Sequence, residues 1–437
     1  MSGAEVISLL VERPAVGGRM IARYKGQVVL VGGAIPGERV NAVIEGIRRN
    51  LLFARTVDIL ESSPDRRSCV VRPSCGGRSF AHISYRRQLH LKSEIVQDAF
   101  RRIGRIALSG LPPAVPSLET GYRMRARLHV NDAKIGFLDE HSHNVCDVAE
   151  TGQLLPKTES LIRAMGAASG MLAEVGARTV ELTEDLAGDN CALHVVTKGR
   201  NDKADEKLRE LATFIPGVTG LSVGSDVDSV ALRRLLGKPY VGDSVGAFLS
   251  TIKGGNMTLR RHASAFFQAN RYLVPELVKV VAALVDGEEL VDLYAGVGLF
   301  SVCIASMGTG SVIAVERDPI SGKDLVANGA PFASNLRAVR LPVETYLRRC
   351  KSFAHTTVIV DPPRTGLSRE CVARLPRLRP KRIIYVSCDV ATQARDLRAL
   401  GASGYRVCEV RVFDMFPNTP HIETVVSLER LSGDKSQ

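Results

Sequence analysis

An α/β architecture is predicted from this sequence: a C-terminal doubly wound sheet, preceded by a small β-barrel and a mixed α+β central unit. Three observations carry it. From about residue 259, short apolar runs of strand length alternate with helical patterns, as in a mostly parallel sheet wrapped by helices. Residues 1–62 hold closely spaced β runs broken by glycine turns, as in a small barrel. The 437 residues exceed what one ordinary core organises, so roughly two to three domains are expected.

In the N-terminal unit Gly17-Gly18 precedes Met20–Tyr24, and Lys25-Gly26 makes a tight turn before Gln27–Val31. Gly32-Gly33 and Pro36-Gly37 break the chain again before Arg39–Ile44. Arg19, Arg23, Lys25, Arg39, Arg48 and Arg49 would decorate the barrel, either as solvated charges or as an oligonucleotide-binding face. Residues 63–82 read as a loop. Ser84–Arg102 reads as a helix with Leu89, Ile95, Val96 and Phe100 on its apolar side. Residues 112–116, Pro-Pro-Ala-Val-Pro, read as a linker. Further on, Leu161–Val175 and Lys203–Phe214 read as helices, and Val180–Leu182 and Leu193–Val196 as strands. The last unit opens with a helix at Leu273–Val285. Its strands fall at Glu289–Leu293, Ser311–Val315, Thr357–Val360 and Arg382–Val386. The expected units are therefore 1–62, 63–258 and 259–437, with the helix near 84–102 free to pack on the last.

The formal net charge of +12 favours an anionic partner, nucleic acid first; a basic enzyme with no polyanion is the plainer alternative. Nine scattered cysteines, an odd number, argue against a disulfide framework and for buried small residues, one or two of them with chemistry. Cys191, Cys303, Cys350, Cys371 and Cys408 are left as core or surface residues. No apolar run reaches 18 residues, so no membrane helix is expected. Met1–Glu5 lacks the charged start and apolar block of a secretory signal, and a cytoplasmic location is the expectation.

Four segments carry chemistry. Leu290–Ser301 is a strand, a turn with Gly296 and Gly298, and a helix start; 18 residues past Gly298 lies Glu316, where a ribose diol would be bound. Ser301 takes the third glycine position of the dinucleotide fingerprint, which a cofactor without pyrophosphate does not need; Glu316 and the strand pattern favour cofactor binding over a tight structural turn. Asp361 follows the strand Val358–Val360 and precedes Pro362-Pro363, a rigid carboxylate at the ligand edge of a parallel sheet. Arg364 stands where amino-group methyltransferases carry a stacking aromatic, which argues against exocyclic-amine chemistry. Cys388 ends the run Ile383–Ser387 just before a helical pattern, where a thiolate is favoured over a merely buried thiol. Glu423, in His421-Ile422-Glu423, interrupts an apolar strand and is either salt-bridged or functional.

Together these segments resemble the RNA (uracil-5-)-methyltransferase family. Ala265–Asn270 is similar to that family's cofactor segment around Gln268; Tyr122–Val130 and Ile135–Phe137 are similar to its central domain. Gly17-Gly18, Ala34–Val40 and Ser63-Pro64 resemble its OB-like TRAM module. The resemblance covers most of the chain. It implies a Rossmann-like methyltransferase domain in which Cys388 is the nucleophile and Glu423 the base. Gln268, Tyr294, Glu316 and Asp361 would bind S-adenosylmethionine. RNA is the implied partner, 23S ribosomal RNA rather than transfer RNA because of the barrel, with the enzyme working as a monomer. Transfer RNA as substrate, methylation at another RNA atom, and a non-catalytic RNA-binding factor that keeps the fold are the alternatives. Retained activity in Cys388→Ala would favour chemistry at another atom, and absence of cofactor binding would favour the non-catalytic factor.

The chain departs from the family pattern in three places. Asp389-Val390 replaces the Asn-Pro that often follows the cysteine, and an ionised carboxylate there would raise the thiol pKa. Ala295 stands where cysteine is common. Relatives often hold a four-iron cluster on four cysteines; Cys69 and Cys75 are present, but Arg78 and Thr151 take the other two positions and Cys146 is out of register. Two thiolates do not hold a cubane, so no cluster is expected.

Overall fold

Alternating burial closes the first five strands into a barrel. The structure, a computed structural model, describes residues 5–68, 75–131, 134–139, 144–199, 202–228, 231–249, 257–308 and 310–431. Strands β1 (Val6–Pro14), β2 (Met20–Tyr24), β3 (Gln27–Gly32), β4 (Arg39–Arg48) and β5 (Leu51–Glu61) run in the order β1-β2-β3-β5-β4. Every second residue of β1 (Ile7, Leu9, Val11) points inward, as a half-buried strand requires. The same core takes in Phe80, Ile83 and Leu91 from beyond the barrel. Each such side chain contributes about 1.5–3 kcal/mol on burial, so the barrel depends on the segment that follows it.

That segment leads into α1 (Tyr85–Ala99), which continues as a π-helical turn to Gly104. Its inner face differs from the expected one. Ile95, Val96 and Phe100 are buried, but Leu89 is only half-buried, while Gln88, Leu91, Lys92 and Ser93 are inside. The Pro-Pro-Ala-Val-Pro stretch is not a free linker. Ala114–Val115 form β6, which pairs in parallel with Val412–Phe413 and so becomes an edge of the C-terminal sheet, where flanking prolines are tolerated.

The central unit contains β7 (Arg125–Asn131), β8 (Lys134–Leu138), β9 (Val145–Asp147), α2 (Pro156–Ala167), α3 (Ser169–Glu174), β10 (Ala177–Glu184), β11 (Cys191–Thr197), α4 (Asp202–Phe214), β12 (Val218–Ser225) and β13 (Arg233–Gly237). The seven strands form one sheet, β13-β12-β11-β10-β7-β8-β9. The single helix expected at 161–175 is two, broken at Ala168 between Gly166 and Gly170, both weak helix formers. Cys75 and Cys146 are joined as a disulfide with Cα atoms 5.9 Å apart, against the expectation of none. The isolated bridge between Cys75 and Asp139 lays the cysteine beside β8 and β9, a proximity that sequence distance hides.

Next come β14 (Tyr240–Ser244), α5 (Val245–Phe248) and β15 (Thr258–His262), the two strands pairing with each other. The last unit alternates as expected: α6 (Val274–Leu284), β16 (Glu289–Leu293), α7 (Leu299–Ala305), β17 (Ser311–Val315), α8 (Pro319–Gly329), β18 (Leu336–Val339), α9 (Val343–Arg349), β19 (Thr356–Val360), α10 (Arg369–Arg374), β20 (Arg382–Ser387), α11 (Val390–Ala402), β21 (Tyr405–Phe413) and β22 (Glu423–Arg430). The sheet order is β18-β17-β16-β19-β20-β22-β21-β6. The first five strands are parallel, and β22 runs antiparallel between β20 and β21. Apolar clusters cover both faces, so the strands are near-continuously hydrophobic. Among the described residues no helix is long and apolar enough to cross a membrane.

Candidate active site

The sheet delivers its functional groups along one edge, because parallel strands all end on the same side. Leu293 is level with Val315 and Val360, and Val360 with Tyr385. Tyr294, Glu316, Asp361 and Cys388 each stand one residue past or just beyond a strand end. On the antiparallel β22 the pairing of Ser387 with Thr424 brings Glu423, its first residue, to the level of Cys388.

One half of the edge surrounds the glycine turn. Gly296, at φ +57°, has nothing within 4 Å of where a Cβ would sit, so its backbone faces open space. Its N–H donates to Glu316 Oε2 at 2.8 Å, and Asp318 N donates to Oε1 at 2.6 Å. Burial raises the Glu316 pKa, and these two donors oppose it. At Gly298 a Cβ would overlap Val302 and Leu325, so a side chain there would push α7 off α8. Tyr294 adopts φ +64°, and its hydroxyl lies 3.5 Å from Cys371 Sγ; it offers the turn its backbone rather than its hydroxyl. Asp292 is a residue the sequence reading missed, although a carboxylate inside Leu290–Leu293 is a visible signal. It is fully buried; Ser301 N donates to Oδ2 at 3.1 Å, and Oδ1 has no partner. Burial, then the neighbouring Glu316, raise its pKa to about 7 against the hydrogen bonds from Ser301. An open backbone turn, an orphaned carboxylate oxygen and a carboxylate with unused lone pairs fit an adenosine-bearing sulfonium such as S-adenosylmethionine.

The other half carries Gln268, Asp361, Arg364, Cys388, His421 and Glu423. Burial and the nearby Asp292 raise the Asp361 pKa, while a hydrogen bond from Gln268 lowers it. Glu423 is 4% exposed, and burial followed by Asp361 pushes its pKa well up against the pull of Arg364. The Cys388 thiol does not have the low pKa expected of a helix N-terminus. Burial, then Glu423 and Asp361, push it up to about 12; Arg364, which hydrogen-bonds it, works the other way. The feared effect of Asp389 has a different outcome: its carboxylate caps α11, accepting from Thr392 N at 2.8 Å and Thr392 Oγ1 at 3.0 Å. His421 is held near 4 by burial and then by Arg364, Lys92 and Arg123, and so is neutral at pH 7. Arg364 and His421 gain importance from the geometry; sequence reading gave Arg364 only a negative role.

A groove of about 1120 Å³ runs from the barrel to this edge, lined by Arg19, Arg48, Arg55 and Arg78 at one end and by Arg364 and His421 at the other. A basic groove that reaches Arg364, the residue that hydrogen-bonds Cys388, suits a polyanion.

Residues 233–431 match the tRNA (uracil-5-)-methyltransferase family, and residues 4–57 match the TRAM domain. An RNA methyltransferase of Thermotoga maritima is 30% identical over 94% of this chain and 95% of its own. The chain belongs to the RNA uracil-5-methyltransferase family. A 23S rRNA (uracil(1939)-C(5))-methyltransferase of Halomonas elongata is 30% identical over 98% of this chain and 90% of its own. The crystal structure of the Pyrococcus abyssi tRNA (uracil-54, C5)-methyltransferase with S-adenosyl-L-homocysteine shares the fold, with a TM-score of 0.74 and 24% identity over 96% of this chain and 99% of that one. The protein is therefore an S-adenosylmethionine-dependent enzyme of RNA uracil-C5 methylation.

The cysteines around Cys75 bear on the iron–sulfur cluster that the resemblance raises. Cys69 lies outside the described residues. Among the described ones, Cys75 and Cys146 are bonded to each other, Asp139 is the third group beside them, and Thr151 donates its hydroxyl to Val148 O at 2.6 Å. That set offers no four-thiolate cage.

Proposed function

We propose that this enzyme methylates C5 of a specific uridine in 23S ribosomal RNA, with Cys388 as nucleophile and Glu423 as general base. The observation that carries this reading is the meeting of Cys388 and Glu423 at one end of adjoining strands, with Asp361 and Arg364 acting on both. Uracil C5 is a weak nucleophile. The Cys388 thiol gives its proton to solvent and the thiolate adds to C6, turning the ring into an enolate whose C5 takes the methyl group of S-adenosylmethionine as the sulfonium C–S bond breaks to leave a thioether. Glu423 then accepts the C5 proton, the C5–C6 double bond re-forms, and the C6–S bond breaks to return the thiolate. Arg364 stabilises that thiolate as it forms and leaves. Gln268, Gly296, Gly298, Glu316, Asp361 and the Tyr294 backbone would hold the cofactor, with the buried Asp292 carboxyl offering an unpartnered oxygen.

The adduct tests these roles. Glu423→Gln should stall after methyl transfer and accumulate a protein–RNA species that survives denaturing gels, and Cys388→Ser should abolish it. A Glu423→Gln enzyme that turns over normally and accumulates nothing removes Glu423 from the mechanism.

The ribosomal substrate draws support from the Halomonas relative and from the TRAM barrel beside the groove. We take the units as 1–62, 63–258 and 259–437, acting as a cytoplasmic monomer without an iron–sulfur cluster. Mapping 5-methyluridine in a strain lacking the gene should show the loss in 23S rRNA; loss from transfer RNA instead would reassign the substrate. Anaerobically purified protein should be colourless, whereas roughly four irons per chain would show that a cluster forms.

A further inference from the structure

We propose that Gln88 and Lys92 of α1 are positioning residues for the proton-abstraction step, holding the loop that delivers Glu423. This inference rests on Glu423 as the base. The loop is residues 414–422, between β21 and β22, and it has no helix or strand of its own to satisfy its polar groups. Asn270 and Tyr122 reach the carbonyls of Met415 and Pro417, Arg67 reaches the Asn418 side chain, and α1 supplies further buried contacts. Gln88 and Lys92 are one turn apart, so both point the same way, and both are fully buried. Lys92 Nζ pairs with Asp414, itself fully buried, and donates to Phe416 O at 3.2 Å. Gln88 makes a reciprocal pair with Asn418: Asn418 N donates to Gln88 Oε1 at 2.9 Å, and Gln88 Nε2 donates to Asn418 Oδ1 at 2.9 Å. The same Nε2 reaches Phe80 O at 3.2 Å and Ile83 O at 3.0 Å. Phe80 N closes the set by donating to Asn418 O at 2.9 Å. Asn418 stands at φ +64°, a conformation that these contacts fix.

The ion pair argues for placement more than for stability. A buried pair is often replaceable by apolar residues at little cost in stability, whereas breaking it on one side is costly. What Lys92 and Gln88 give the loop is a fixed path into Glu423. Cys388 is held otherwise, between β20 and the capped start of α11. Loosening the α1 contacts should therefore slow proton removal and leave thiol addition alone. The turn before α1, including Arg78, Ser79 and His82, also lines the basic groove, so the RNA-binding wall and the base share one anchor.

Single-turnover kinetics with a 23S rRNA fragment test the inference in Gln88→Leu and in Lys92→Met/Asp414→Leu, the second removing both charges together. Decay of the covalent adduct should slow about ten- to a hundredfold, the cost of a misplaced catalytic group. Adduct formation and S-adenosylmethionine affinity should stay within about twofold of the parent. Adduct decay within about twofold of the parent in both folded variants overturns the inference, as does an equal slowing of formation and decay. Glu423→Gln, run alongside, separates the two readings. If it accumulates adduct while the α1 variants resolve theirs normally, positioning falls and the base stands. If it resolves adduct normally, the base assignment falls and takes this inference with it.

Discussion

The barrel groove and the sheet edge both carry charge, yet they handle it in opposite ways. In the groove, arginines lie beside acidic partners and water: the half-buried Arg19 lies 2.9 Å from Glu45, the exposed Arg55 3.6 Å from the same residue, and both Arg19 and Arg48 lie over Phe53. Such charges are screened by salt and exchange partners at little cost. At the edge, Asp292, Asp361, Cys388 and Glu423 are desolvated, and their protonation is shifted by burial and by each other. The difference teaches that affinity and chemistry are separable here. On the proposed function, the groove cations would set how tightly RNA sits, and a few desolvated groups what happens to it.

Removing the proposed nucleophile should break the comparison if it is wrong. Cys388→Ala should lose methylation by at least about 10⁴-fold, with RNA affinity and its salt dependence unchanged. Methyl incorporation and binding at two salt concentrations read both. A weaker but sharper probe is Arg364, which touches both regions. Arg364→Met should slow adduct formation about a hundredfold. Because the thiol already stands at about 12 and Arg364 pulls it down, its loss moves the thiol further up and leaves less thiolate at any given pH. The parent's rate of adduct formation should accordingly climb with pH through pH 9, and the variant's should climb from a lower start. A plateau in the parent near the ordinary thiol range, about 8.5, would show that bound RNA lowers the thiol.

Gly18 tests the seam between the regions. At φ +87°, with a Cβ that would overlap Pro420, Gly18→Ala should cost about 1–3 kcal/mol in thermal unfolding and weaken RNA binding as the barrel lifts from the catalytic loop. Unchanged melting and RNA affinity would show that the loop yields freely. The smallest effect belongs to the groove. Arg48→Gln/Arg55→Gln should lower the slope of affinity against salt by about two phosphate contacts, with the rate at saturating RNA unaltered. An unchanged slope would take the RNA off this wall.

Much of this was legible in the sequence for local reasons. Glycine turns and alternation announced the barrel; Asp361 and Cys388 were placed just past strand ends, where they lie, and Glu423 inside an apolar strand of which it is the first residue. What escaped was set by partners hundreds of residues away. Gln88 and Lys92 look like the polar side of a helix until Asn418 and Asp414 close over them. Ala114–Val115 looks like a linker until β21 arrives, and the shifted thiol of Cys388 reflects burial first and then Glu423 and Asp361 from other strands. Asp292 was visible but unread, because one carboxylate in an apolar strand does not announce what it faces.

The pairing of β6 with β21 also has a consequence for the chain as it is made. Ala114 and Val115 leave the ribosome about 300 residues before the strand they join, which at some 5–20 residues per second is a wait of roughly 15–60 seconds. Through that interval α1 holds Lys92 with no Asp414 to meet it, and the barrel alone shelters Leu91. The catalytic half, in turn, emerges unable to finish its own sheet until the waiting strand docks. The two ends of the polypeptide are thus bound to fold as one transaction, and a catalytic half grafted onto another leader would arrive without its edge strand and without the cation its loop was built around.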